Sequence, residues 1–169
     1  FKDINDIRHS FRLFAEKLPK GGLLVINSGI ENINEIISGL PCRIVTFGKD
    51  LSSMYTAQNI TYDEFARPSY DLVVQGEIIN RITLGVTGEH NVYNSLAAIA
   101  VAEHYQVPWN VMEQVLHTLQ VPGRIEMLSV SPRFIVLVDY AHNAMALEAF
   151  IYDYAARNLG DGYVSKYLD

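Results

Sequence analysis

Apolar residues recur at helical spacing at the head of the chain, where Ile4, Ile7, Phe11, Phe14, Ala15 and Leu18 share one face. Asp3 or Asn5 offers an N-cap and Pro19, followed by Gly21 and Gly22, supplies a stop, so the pattern predicts an amphipathic helix. Residues 23–26 are then a short unbroken apolar run that closes on Asn27, Ser28 and Gly29, as a buried strand closes on a loop. Helical spacing returns over residues 31–40 through Ile33, Ile36, Ile37 and Leu40, and residues 43–47 are again apolar and β-branched. Helix, strand, helix, strand in this order predicts an α/β sheet.

The character changes after Gly48. Residues 55–84 form short runs rich in Tyr, Thr, Val and Ile, parted by Arg67-Pro68-Ser69 and Gln75-Gly76-Glu77, which predicts antiparallel strands at one side of the sheet. Residues 91–105 and 108–119 predict two helices, with Pro108 suited to a first-turn position. Residues 134–138 predict a further buried strand, and residues 144–156 a helix packed behind it. Pro122 and Gly123 mark a boundary near residues 120–123, which divides the chain into residues 1–120 and 121–169. The second part is close to the lower size limit for independent folding, so the expectation is a fragment of something longer.

Composition narrows the class. Of 169 residues 49% are hydrophobic and 19% charged, enough apolar material for a core and too little charge for a disordered chain. The net charge of -6 and the scatter of the basic residues argue against a nucleic-acid surface, though not against one nucleotide bound locally. The longest apolar stretch, residues 96–102, falls well short of the roughly 20 residues of a membrane span. The charged N-terminus does not resemble a signal peptide, and the single Cys42 rules out an internal disulfide. The expectation is a soluble cytoplasmic protein without nucleic-acid or membrane partners.

The most informative stretch is Gly88-Glu89-His90-Asn91-Val92-Tyr93-Asn94-Ser95-Leu96-Ala97-Ala98. A turn opens into a helix that sets Asn91 and Asn94 on one face and turns Val92, Leu96 and Ile99 to the other, with small residues behind. Two carboxamides on one exposed face can pair donor and acceptor with the edge of an adenine. From spacing alone the plainer reading, a cap at Asn91 and a solvated Asn94, is favoured. His9, His104 and His117 lie on predicted helices without ligand spacing, and Asp3, Asp6 and His9 read as a solvated face rather than a metal site.

The pattern G-x-H-N-x-x-N-x-x-A-A resembles the adenine-binding motif of the Mur ligase family, whose members use ATP to join an amino acid to a UDP-muramoyl precursor of peptidoglycan. Two further stretches follow in the family's order: Gly123-Arg124-Ile125-Glu126 resembles its linker motif, and Asp139-Tyr140-Ala141-His142 its D-Y-A-H motif. The resemblance implies the latter part of a P-loop-type central ATPase domain over residues 1–120, followed by the start of a Rossmann-like C-terminal domain over 121–169. Residues 7–14, the Gly-Gly-Leu-Leu-Val-Ile-Asn run and the asparagine helix are most similar to the alanine-adding branch. Residues 121–126 and 139–147 look more like the branch that adds the third residue of the stem peptide. Folylpolyglutamate and cyanophycin synthetases share the ATP machinery but fit the D-Y-A-H stretch less well.

By this resemblance Asn91 and Asn94, with His90 beside them, hold adenine, Asp139 the ribose, and Arg124 and His142 the phosphates of ATP with its Mg2+. Each has a plainer reading: Arg124 as a surface partner of Glu126, Asp139 as a turn cap, and His142 and His90 as loop histidines. A phosphate-cradling G-x-x-x-x-G-K-[ST] is found nowhere in the sequence, and Ser28-Gly29 stand where the family usually carries two acidic residues. A D-N-P-R stretch for the incoming amino acid is likewise missing. The expectation is part of an ATP-dependent amide-forming ligase that is inactive alone. The alternative is a noncatalytic scaffold that keeps the ligase fold elements.

Overall fold

The computed structural model describes residues 1–63, 65–123, 126–131, 134–141, 144, 147 and 148, with backbone alone for 126–131 and 134–137. In chain order the elements are α1 (Ile4–Ala15), β1 (Leu23–Asn27), α2 (Asn34–Ile37), β2 (Arg43–Phe47), β3 (Tyr55–Tyr62) and β4 (Pro68–Val74). They continue with β5 (Glu77–Thr83), α3 (His90–His104), α4 (Trp109–Thr118), β6 (Glu126–Ser131) and β7 (Phe134–Val138). The first five strands form one sheet in sequence order, and β6 and β7 form a second. Packing divides the chain into two compact units: residues 1–58, 72–80 and 93–107, and residues 59–71, 81–92 and 108–169.

In the first unit α1 starts where the sequence predicts, with Asp3 as N-cap accepting from the Asp6 amide at 2.9 Å. Arg12, in its last turn, reaches over to donate to the backbone carbonyls of Ile36 and Ser38 at the end of α2. Arg8 is buried, yet its guanidinium donates to the Glu31 carbonyl at 3.1 Å, to Asn5 at 3.0 Å and to the Glu31 carboxylate at 3.3 Å. Those partners answer for the charge taken out of water.

The helix expected over residues 31–40 is a single turn. Asn32 sits in the left-handed region at φ 55° and Gly39 at φ 71°, so helical geometry cannot extend past either. Ile36 is still buried, which shows that the apolar spacing registers burial even where it does not extend the helix.

β1 and β2 pair in parallel from Leu23 against Arg43 to Asn27 against Phe47. β3 joins β2 in parallel only at Tyr55 against Phe47, so it begins where β2 ends. The rest of the sheet is hairpins. β4 and β5 are neighbours joined by two residues, Gln75 at φ 52° and Gly76 at φ 88°, and two successive left-handed residues make the tight turn that suits antiparallel strands. β3 and β4 are joined through Asp63, whose carboxylate accepts from the amides of Phe65 and Arg67. A parallel pair would need a far longer connection. The core of this unit gathers Ile26, Ile36, Val45, Leu72, Val73, Leu96 and Ile99.

In the second unit Tyr70, Ile82, Leu84 and Val92 are fully buried, and Met112 and Leu116 bring in α4. Arg81 ties the strands on their outer face, donating to Asp71 at 2.9 Å, to the Asn59 carbonyl at 2.9 Å and to Thr61 at 2.7 Å. Gly85 donates to the Leu116 carbonyl at 2.8 Å, and a Cβ there would lie 2.4 Å from the His117 carbonyl oxygen. Only glycine allows this approach.

One expectation needs correction, and one strand was not anticipated. Pro108 is the N-cap of α4, not a first-turn residue, because its ψ of 139° is extended while its carbonyl already accepts from Val111 and Met112. Residues 126–131, of which only Glu126 was assigned, as the end of the linker motif, are strand β6, which pairs antiparallel with β7 from Glu126 against Val138 to Ser131 against Phe134 through a register shift. The helix expected over 144–156 lies outside the described residues except at 144, 147 and 148, which are helical.

Tyr55 supplies a pH test of the first unit. The side chain is buried and its phenol donates to the Glu103 carboxylate, so burial first, and the acceptor and charge of Glu103 next, push its ionisation well above the usual tyrosine range. A folded-state pKa raised above the unfolded one gives stability that is complete below about pH 10 and is lost as pH rises further. Chemical denaturation at pH 8 and pH 11 should therefore show the wild type losing more stability over that interval than Tyr55→Phe. Equal losses would mean that the phenol is not held neutral by the fold.

Candidate functional site

The turn before α3 is built on Gly88, which is buried at φ 93°, a conformation that β-carbon sterics disfavour. Its amide donates to the Ala66 carbonyl at 3.3 Å, and its own carbonyl accepts from Asn91 at 3.1 Å to start the helix. The His90 imidazole folds back over it, so that a Cβ on Gly88 would lie 2.8 Å from His90 Cε1. His90 is exposed and belongs to the wall of its own loop.

Asn91 is half-buried, and its Nδ2 donates to the Thr87 carbonyl at 2.7 Å. It is a tie between helix and loop rather than a side-chain acceptor at the N-cap. Asn94, one turn on, is exposed, while Val92 and Leu96 are 0% exposed and Ile99 is 2%. The small buried residues on that inner side are Ser95 and Ala100. The structure thus brings Asn91 and Asn94 together on one helix, with the division of faces that the spacing predicts.

Asp139 follows β7 at once and is half-buried, with Oδ1 accepting from the Ala141 amide at 2.7 Å. The turn-cap reading of its sequence position is therefore realised. Arg124 and His142 lie outside the described residues. Among the described residues no three His, Cys, Asp or Glu side chains come together as a metal cluster.

One arrangement was not legible beforehand. The carboxyl ends of β1 and β2 lie side by side, and there the Ser28 and Ser53 hydroxyls meet at 2.7 Å while Lys49 places its ammonium 5.4 Å from the centroid of the Tyr93 ring. Tyr93 is the residue before Asn94. The only prior signal is a lysine one position past the glycine that ends β2. A cavity of about 400 Å3 nearby is lined by Thr46, Leu51, Ser52, Ser53, Met54, Gln75 and Gly76, none of them a site residue proposed from the sequence.

Comparison with known proteins now bears on these features. The family model for the Mur ligase middle domain matches residues 1–102. A UDP-N-acetylmuramate–L-alanine ligase of Lachnospira eligens is 44% identical over 151 residues, which takes in 88% of this chain and 33% of that protein. Among solved structures, MurF of Acinetobacter baumannii superposes with a TM-score of 0.76 at 20% identity, over 90% of this chain and 33% of its own. MurC of Thermotoga maritima, a UDP-N-acetylmuramate-alanine ligase, gives a TM-score of 0.75 at 21% identity, over 93% and 34%. At those identities the two structures speak for the fold alone. The chain spans about a third of the length of the relatives it matches.

Gly88→Ala should cost about 1–3 kcal/mol, because alanine must hold a left-handed conformation and displace the His90 ring. Thermal unfolding followed by circular dichroism measures it. A melting temperature equal to that of the wild type would show that the turn has another accessible geometry.

Proposed function

This chain belongs to the Mur ligase family, and we propose on that premise that it is part of an ATP-dependent ligase joining L-alanine to UDP-N-acetylmuramate, its own share being to hold adenine on α3. The observation that carries the reading is the outward pair Asn91 and Asn94 on a helix whose opposite face is buried. A carboxamide offers an acceptor to the adenine amino group and a donor to a ring nitrogen, which is how asparagine reads adenine. The alanine-adding assignment is supported beyond the central domain, since a match over 88% of the chain necessarily runs past residue 123.

In the proposed reaction ATP transfers its γ-phosphoryl group to the muramoyl carboxylate, giving an acyl phosphate and ADP. The alanine amino group attacks the acyl carbon, phosphate leaves, and an amide is formed. Holding the base costs the protein little chemistry, because positioning is most of what phosphoryl transfer requires. Asp139 is proposed for the ribose, and Arg124 and His142 for the phosphates, where a guanidinium forms strong charge-assisted hydrogen bonds. His90 closes the loop at the adenine end. Mg2+ would offset phosphate charge during transfer, but the described residues offer it no cluster and none is assigned to it. We place the work in the cytoplasm, where such precursors are assembled; no described helix is long and apolar enough to cross a membrane.

Calorimetric titration with ATP tests the reading. Asn94→Leu should weaken binding by about tenfold or more, the loss expected when a buried polar edge goes unpaired, with the melting temperature unchanged because Asn94 is exposed. Given ATP, Mg2+ and muramoyl substrate, the chain alone should release no phosphate above background, since it carries no G-x-x-x-x-G-K-[ST] segment. Absence of ATP binding into the millimolar range would favour the noncatalytic scaffold.

A further inference from the structure

In α1 burial runs against the chemistry of the side chains. Arg8 and Ala15 are buried and Arg12 is half-buried where it reaches the end of α2, whereas Ile4, Phe11 and Phe14 are 56%, 58% and 69% exposed. The helix thus gives α2 its arginine side and leaves its phenylalanines open. The spacing of the open side is regular: Ile4, Ile7, Phe11, Phe14 and Leu18 follow one another at steps of three and four, with Ile7 and Leu18 half-buried. That is the alternation by which one helix makes a seam for another. An uninterrupted apolar stripe of this kind marks a surface that packs on a partner.

The charges beside the stripe say which partner it fits. Asp3 and Lys17 are fourteen residues apart, two full heptads, so both border the stripe on one side, the side away from Arg8 and Arg12. Lys17 comes just after the cap residue Glu16, and its amide still donates to the Phe14 carbonyl at 3.2 Å, so the winding carries on to it. The border is therefore acidic at the start of the helix and basic at its close. An identical helix running the opposite way sets its own close against this start. Ile4 then meets Phe14 of the second copy, Ile7 meets Phe11, and Asp3 meets Lys17, each contact occurring twice because the arrangement is two-fold. The opposed direction also pairs the helix dipoles favourably.

We propose that the stripe of α1 is a self-association surface on which a second copy of this chain docks its own α1, antiparallel. The arginine side stays with α2 in each copy, so neither unit has to rearrange. One helix pair of this length buries less than the roughly 1,200 Å2 of a standard interface, which places the dissociation constant on the order of 100 μM.

Sedimentation equilibrium of the full chain from about 5 to 500 μM tests the proposal. The wild type should pass from a 19.0 kDa species to one of twice that mass. Phe14→Glu should raise the dissociation constant by about tenfold or more with the monomer's melting temperature unchanged, since the side chain is exposed. Lys17→Glu, which sets a second acidic group against Asp3, should raise it by about threefold. Val115→Glu on α4, which adds the same charge at a 54% exposed valine off the stripe, should leave it unchanged. A single 19.0 kDa species at every concentration overturns the proposal and leaves the stripe to another stretch of a longer polypeptide. A dimer that Phe14→Glu weakens no more than Val115→Glu does overturns it as well, and one indifferent to Lys17→Glu overturns the antiparallel pairing.

Discussion

What α3 can present to a ligand is decided by the face it cannot present. Val92, Leu96, Ile99 and Ala100 are all withdrawn from solvent, and burying each of the three larger side chains is worth about 1.5–3 kcal/mol. A rotation that brought another set of residues outward would forfeit most of that, against about 0.5–1.5 kcal/mol for any single hydrogen bond gained. Burial wins by several-fold. Asn94 therefore points outward because its neighbours on the helix cannot, and the Asn91 bond to Thr87 ties the start of that face to the loop.

Two glycines, one in each unit, shape the backbone beside these elements. Gly88 lets the chain enter α3 through a left-handed residue with the His90 ring laid against it, and Gly48 lets the loop after β2 pass under two serine hydroxyls. In both places the side chain that follows within two residues, His90 or Lys49, is set by backbone that has no room to shift. A loop of ordinary residues at either position would need extra space.

The elements legible in the sequence are those whose local pattern agrees with their burial. α1, β1, β2 and the asparagine helix were all marked by periodicity with an evident start or stop. α2 was overread because Ile33, Ile36, Ile37 and Leu40 keep helical spacing while Asn32 takes a left-handed conformation that no periodicity reports. β6 was missed because a six-residue strand in an antiparallel pair with a register shift leaves no clean alternation. Pro108 was placed one residue too far into its helix, since its fixed φ suits the cap and the first turn equally and only ψ separates them. In the site the asparagine pair was readable because it is local. Lys49 and Tyr93 are 44 positions apart in the numbering, and only the fold joins them.

The division between what this chain holds and what it lacks follows from the physics of the proposed reaction. Recognition of a base needs a few neutral donors and acceptors on a surface that stays in place, and one helix with one buried face is sufficient for that. Transfer of a phosphoryl group needs several charges to converge on oxygens whose own charge shifts during the reaction, which no single helix can supply. Accordingly the asparagine pair lies on one element, whereas the groups proposed for the phosphates, Arg124 and His142, come from separate segments later in the chain. On the proposed reading, affinity for the base can rest on one helix, whereas turnover depends on bringing widely separated parts of a polypeptide to bear on one phosphate.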